Sequence, residues 1–203
     1  MKIANIDYGV GNLFSLKSSI AAVGHEAVVT NDEKAIAGAD KILLPGVGAF
    51  EDAAQKLRHS GMADVVKEQT AQGKPLLGIC LGMQLLLETS YEYGEHQGLG
   101  LIPGNVRPIA DVISPELKIP HIGWNPLIFR KPSALYRYIK EGDCVYFVHS
   151  YYAADCAPYV TADAEYSALL TASVEKDQVY GVQYHPEKSG EVGLKILKAF
   201  CEL

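Results

Sequence analysis

A short apolar run, Pro75 to Ile79, leads into Gly78-x-Cys80-x-Gly82 and passes without a linker into a stretch of helical spacing from Leu81 to Thr89. This junction limits what the chain can fold into more than any other feature. A strand that turns sharply into a helix, with small residues on both sides of one reactive side chain, has the form of a nucleophile elbow. The glycines let the backbone take a strained turn and lift the nucleophile above a sheet. Amides at the start of the helix then lie beside the sulfur, favouring thiolate over thiol and offering the Leu81 N–H to a developing oxyanion. A cysteine in an apolar stretch is also a common small core residue. The two glycines weigh against that reading for Cys80.

An elbow needs a sheet, and the first half of the chain predicts one. Lys2 to Asp7 reads as a buried strand, and Asn12 to Val23 has helical spacing, with Asn12 as N-cap and Gly24 as stop. His25 to Thr30 and Lys41 to Leu44 read as strands, and Glu51 to Thr70 as helical material broken at Ser60-Gly61. Strands and helices alternating in this way predict an α/β fold, with a mainly parallel central sheet, helices on both faces and sites at the carboxyl ends of the strands. Beyond Gly98 the segments become shorter and β-rich: Asn105 to Ile109, Cys144 to Tyr151, Tyr159 to Tyr166, Leu169 to Val174 and Val179 to Tyr184. The middle is expected to form a smaller antiparallel extension. Ser189 to Leu203, with Val192, Ile196, Leu197 and Phe200 on one face, predicts a closing helix. No repeat or linker divides residues 1–203, so one domain is expected.

Composition excludes several classes of function. The net charge of −6 is scattered and no basic block occurs, which disfavours nucleic acid. Cys80, Cys144, Cys156 and Cys201 have neither zinc-ligand spacing nor a paired framework, so reduced thiols in a cytoplasm are expected, with no metal and no cofactor. The N-terminus reads directly as a strand, without a signal segment, and no apolar run approaches the ~18 residues of a membrane span.

The elbow requires a base. His185 ends the strand-like run Val179 to Tyr184, where a parallel sheet places catalytic loops, and Pro186 fixes the backbone after it. Glu187 can return toward the imidazole, hold its tautomer and stabilise the imidazolium. Singly, each is also a satisfied loop histidine or a surface charge; together with the elbow they predict a Cys-His-Glu triad for acyl transfer. Among the other histidines, His25, His59 and His96 are expected to be exposed, and His121 and His149 to lie beside strands where they could line a cleft. Pro45-Gly46-Val47-Gly48 follows the third parallel strand, so its backbone N–H groups are either oxyanion donors or part of a tight turn. Asp7 to Asn12 suggests a phosphate-binding turn but fails the dinucleotide pattern, since Phe14 takes the third glycine position.

GICLGMQ at 78–84 with HPE at 185–187 resembles the triad-type (class I) glutamine amidotransferases. PGVGAF at 45–50, IDYGVGN at 6–12, HIGWN at 121–125, YFVHSYY at 146–152 and HPEKS at 185–189 carry the resemblance nearly end to end. They point to the branch of that family that supplies ammonia to a (β/α)8-barrel cyclase subunit, as a heterodimer, in histidine biosynthesis. The resemblance implies that Cys80 attacks the carboxamide of L-glutamine, that His185 moves the proton, and that Glu187 orients His185. It implies Val47 and Leu81 as backbone oxyanion donors, with the Pro45 to Gly48 strand reorienting before its donor points inward. Gly46, Gly48, Gln84, Glu92, Ser150 and Tyr151 are implied at the substrate. Trp124, Asn125 and Lys188 are the candidates for the partner interface, with core burial the other reading of Trp124. Two alternatives stay open: a glutaminase feeding a different synthase, and a non-catalytic binding module of the same fold.

Overall fold

Successive residues of the central strands are buried on opposite faces, which is how a sheet covered on both sides is built. The computed structural model describes residues 1–203. Its elements are β1 (Lys2–Ile6), α1 (Leu13–Ala22), β2 (Glu26–Thr30), α2 (Glu33–Ala37), β3 (Lys41–Gly46), α3 (Phe50–His59), α4 (Met62–Ala71), β4 (Leu76–Cys80) and α5 (Leu81–Leu85). Then come β5 (Thr89–Ser90), β6 (His96–Gln97), β7 (Asn105–Pro108), β8 (His121–Pro126), β9 (Ile128–Phe129), β10 (Cys144–His149) and β11 (Tyr151–Ala154). The chain ends with β12 (Val160–Glu165), β13 (Leu169–Lys176), β14 (Val179–Val182) and α6 (Gly190–Cys201).

In β3, Ile42 and Leu44 join one core with Phe50, Leu57 and Val66 of α3 and α4, whereas Leu43 joins the other with Leu16, Ile20, Ile196 and Phe200 of α1 and α6. Period-two alternation with apolar residues on both sides marks a strand buried between helical layers. Each such side chain, fully withdrawn from water, stabilises the fold by roughly 1.5–3 kcal/mol.

The large sheet has the order β2-β1-β3-β4-β14-β13-β12-β9. Pairing is parallel from β2 through β14 and antiparallel from β14 outward. The antiparallel strands β12 and β13 therefore continue the main sheet. Apart from it stand a two-stranded ribbon, β10-β8, and a four-stranded sheet, β11-β7-β5-β6.

Two sequence expectations change here. Cys144 to Tyr151 is not one strand: β10 ends at His149 and β11 starts at Tyr151 in a different sheet, with Ser150 between them. The chain turns there because β10 is held by β8 and β11 by β7. The helix expected from Leu81 to Thr89 stops at Leu85, and Thr89 already pairs with Asn105. Its apolar spacing reflects burial on all sides rather than one amphipathic face. Asn12 does precede α1 but makes no side-chain cap. No helix is long and apolar enough to cross a membrane.

Candidate active site

The elbow forms where β4 meets α5. Cys80 has φ 54° and ψ −112°, a conformation that costs an L-residue energy and persists only where its surroundings impose it. The glycines impose it by close backbone approach. A Cβ on Gly82 would sit 1.8 Å from the Leu44 carbonyl oxygen, and one on Gly78 would sit 2.7 Å from the Gly82 carbonyl oxygen. Cys80 is buried in its surroundings yet reaches a pocket of about 540 Å³.

His185 lines the same pocket, just beyond β14, which pairs in parallel with β4. Its Nδ1 lies 2.9 Å from Oε1 of Glu187, and both side chains are almost fully withdrawn from solvent. Burial acts against protonating His185, but hydrogen bonds to Cys80 and Glu187 outweigh it and hold the imidazole up at about 9. The backbone of His185 is fixed too, its N–H donating to the Tyr146 carbonyl at 3.0 Å and its carbonyl accepting from Ser189 Oγ at 2.6 Å.

The remaining cysteines differ. All four thiols are free, but burial pushes Cys156 up to about 11 and Cys201 up to about 12, so neither is a nucleophile near neutral pH. Cys144 is exposed on the ribbon.

Most residues named from the sequence meet at this pocket. Val47, Gly48, Leu81, Gln84, Glu92, Ser150, Tyr151 and Lys188 all line it. Val47 is exposed at its mouth, and Gly48 has φ +98°. Gly46 is not at the surface of the pocket: it is buried, and a Cβ there would meet the Gly82 nitrogen at 2.8 Å. Its smallness serves the packing of the elbow against β3. Glu92 is largely buried, and burial raises its carboxyl above the ordinary range, partly offset by the Phe50 N–H that donates to its Oε2 at 2.9 Å. Gln84 is buried, with Nε2 donating to the Tyr151 carbonyl and to Gln183.

The interface candidates divide. Trp124 is 55% exposed and packs edge-on against Tyr146, so it is not a core residue. Lys188 is exposed. Asn125, one step along β8, is half-buried, and its side chain accepts from His121 Nε2 at 2.8 Å and donates to the Glu165 carbonyl at 2.9 Å. Strand alternation turns it away from the face that presents Trp124.

His149 lines the pocket, whereas His121 is buried behind it, 3.0 Å away from His149 Nε2. Burial lowers His149 to about 4 and lowers His121 as well. His25 and His96 are half-buried rather than exposed. The Asp7 to Asn12 turn serves the site by another route than phosphate binding, since the Tyr8 hydroxyl donates to the Pro45 carbonyl. Sequence reasoning missed Tyr8 and Gln183. A glutamine within the apolar run Val179 to Tyr184 was the available signal for the second.

Comparison with known proteins agrees with this geometry. Residues 4–202 match the family described as glutamine amidotransferase class-I. The chain is 47% identical over 204 residues, 99% of this chain and 96% of the relative, to imidazole glycerol phosphate synthase subunit HisH of Geobacillus sp. (strain WCH70). It is 47% identical over 203 residues to the subunit of that name from Aquifex aeolicus (strain VF5), covering 98% and 96% of the two chains. Among solved structures, one titled as a glutamine amidotransferase superposes with TM-score 0.76 at 18% identity, covering 98% of this chain and 97% of the other. PurLQS from Thermotoga maritima does so with TM-score 0.75 at 18% identity, covering 99% and 97%. At that identity the structures speak for the fold alone. The full-length sequence relatives go further, and the chain belongs to the class-I glutamine amidotransferases and, within them, to the HisH family.

Proposed function

We propose that the chain is the glutaminase subunit of imidazole glycerol phosphate synthase, hydrolysing L-glutamine to glutamate and ammonia for a cyclase subunit in histidine biosynthesis. The observation that carries this reading is Cys80 on its strained elbow, sharing one pocket with His185, which is itself paired with Glu187. Sγ of Cys80 attacks the glutamine carboxamide carbon. Backbone N–H groups of Leu81 and Val47 receive the oxyanion, the second after the Pro45 to Gly48 strand reorients. His185, charged at rest, gives its proton to the departing ammonia, and Glu187 stabilises that charge and fixes the ring. Water then attacks the thioester and returns a proton to His185 as the thiolate leaves.

Glu92 pairs with the ammonium group of glutamine, and Gln84, Ser150, Tyr151 and Gly48 shape the rest of the substrate pocket. Gly46 supports the pocket from behind by letting β3 approach the elbow. Ammonia is lost if it is protonated in water, so the product must pass straight to a second protein. The cyclase is a (β/α)8 barrel that forms a heterodimer with this chain over the face carrying Trp124 and Lys188, in the cytoplasm. Ammonia release measured with and without cyclase and its nucleotide substrate, beside Cys80→Ala, tests the reading. Slow hydrolysis alone and a large rise with partner and nucleotide are expected; equal activity of Cys80→Ala and the parent would refute it.

A further inference from the structure

Gln183 is completely buried between the end of β14 and His185, and its side chain reaches the sulfur of Cys80. Its Nε2 donates to Sγ at 3.7 Å, and its Oε1 accepts from Gln84 Nε2 at 3.0 Å. The same Gln84 nitrogen donates to the Tyr151 carbonyl at 3.2 Å.

The far end of this chain of contacts fixes its direction. A backbone carbonyl only accepts, so Gln84 must turn its amide nitrogen toward Tyr151. An amide nitrogen only donates, so Gln183 must meet it with Oε1. With Oε1 engaged there, the planar amide leaves Nε2 facing the sulfur. The polarity of the whole row is set by one main-chain oxygen, and a donor is permanently aimed at Sγ.

A donor facing sulfur stabilises a thiolate more than a thiol, because a hydrogen bond to a charged acceptor is stronger than one to a neutral acceptor. We propose that Gln183 is a further catalytic residue of this site, donating to the Cys80 sulfur, with Gln84 as the residue that positions it. The inference rests on Cys80 being the nucleophile of the glutaminase reading. Gln183 acts twice in the reaction. In the resting site it donates to Sγ. In thioester hydrolysis the electron pair of the breaking C–S bond returns to Sγ, and Gln183 meets that charge as it forms. The arrangement also gives Gln84 a second duty, so that the pocket wall beside Tyr151 is joined to the nucleophile through two side chains.

The test is the pH dependence of Cys80 alkylation by iodoacetamide, followed by mass spectrometry in the full chain with cyclase bound, together with steady-state kinetics. Gln183→Met keeps the length and removes the donor. Its alkylation profile is expected to move up by about one pH unit, with kcat falling about tenfold and KM changing little. Gln183→Glu, which keeps an acceptor for Gln84 but sets a negative charge beside the sulfur, is expected to shift the profile further. Gln84→Met is expected to shift it in the same direction, and the double variant Gln84→Met/Gln183→Met no further than Gln183→Met alone. A folded Gln183→Met protein with the parent's alkylation profile and kcat overturns the proposal. Should that variant not fold, an unshifted profile in Gln183→Glu overturns it equally. The glutaminase reading fails on a different result, absence of Cys80 labelling in the parent by a glutamine-analogue electrophile, and the alkylation profiles report on Gln183 in either case.

Discussion

The hydroxyl of Tyr8 donates a 2.7 Å hydrogen bond to the carbonyl of Pro45, tying the turn after β1 to the glycine strand beside the nucleophile. Tyr8 is 5% exposed, so little water can replace that bond. The Pro45 to Gly48 segment, proposed to carry the second oxyanion donor, is therefore fastened by Tyr8. Tyr8→Phe is expected to lower stability by about 1 kcal/mol and to loosen the strand. Cyclase-free glutamine hydrolysis should rise while the stimulated rate stays close to the parent's, reducing the activation ratio; an unchanged ratio in a folded variant counts against this role for the fastening.

Two glycines of the site should respond to alanine for opposite reasons. Gly82→Ala brings a Cβ to 1.8 Å from the Leu44 carbonyl oxygen, which β3 cannot vacate without breaking its pairing with β4. A loss of about 3 kcal/mol or more is expected, read in denaturant unfolding. Gly48→Ala meets no atom within 4 Å, but its φ of +98° is unfavourable to an L-residue, at a cost of about 1–2 kcal/mol. That protein should fold and should differ from the parent chiefly in partner-stimulated kcat.

His185 sets an alkaline limit. Held up at about 9 against an ordinary value of 6.5, its charge stabilises the fold fully below about pH 6.5. That contribution declines as pH rises and is lost above about 9. Glutamine hydrolysis should fall over the same alkaline range as the proton for ammonia disappears. Glu187→Gln removes one of the two partners that hold the charge, so it should move the limit downward and lower kcat by about 10²-fold or more. A pH-rate profile with an unmoved alkaline limb would contradict the assignment.

Glu92 faces the pocket with a carboxyl that burial has raised. An incoming ammonium group would offset that burial by favouring the charged carboxylate. Glu92→Gln should raise KM for glutamine about tenfold or more with a smaller change in kcat. The Phe50 N–H keeps an acceptor in this variant, so its melting temperature is expected to stay near the parent's.

Trp124 projects from the ribbon with more than half of its side chain exposed. Trp124→Ala should leave the melting temperature of the free subunit unchanged and weaken cyclase binding by about 2 kcal/mol, roughly 30-fold in Kd, measured by calorimetry.

The parallel half of the fold was legible because its signals are local: apolar runs, helical spacing and glycine at turns. The meeting of Cys80 with His185 and Glu187 was legible for a related reason, since Cys80 ends β4 and the other two follow β14, the strand that pairs beside it. What stayed hidden depends on pairings between distant segments. Nothing near Ser150 announces that β10 and β11 belong to different sheets, because the break is imposed by β8 and β7. The short α5 looks longer in sequence, as Leu86 and Leu87 are fully buried without being helical. Asn125 reads as a partner of Trp124 by adjacency, yet alternation along β8 separates their faces. Gln183 lay two residues before the identified histidine, and its role rests on a carbonyl at Tyr151 that no local pattern reveals.

The ribbon has one further consequence. Tyr146 carries Trp124 against its ring, while its main-chain carbonyl takes the N–H of His185 and its own N–H donates to Ser189 Oγ at 3.0 Å. One residue thus joins the outer surface to the base of the triad with no slack between them. A protein seated on Trp124, as proposed above, would press on a short lever whose other arm is His185, so shape at the proposed subunit boundary and geometry at the sulfur would be tuned together.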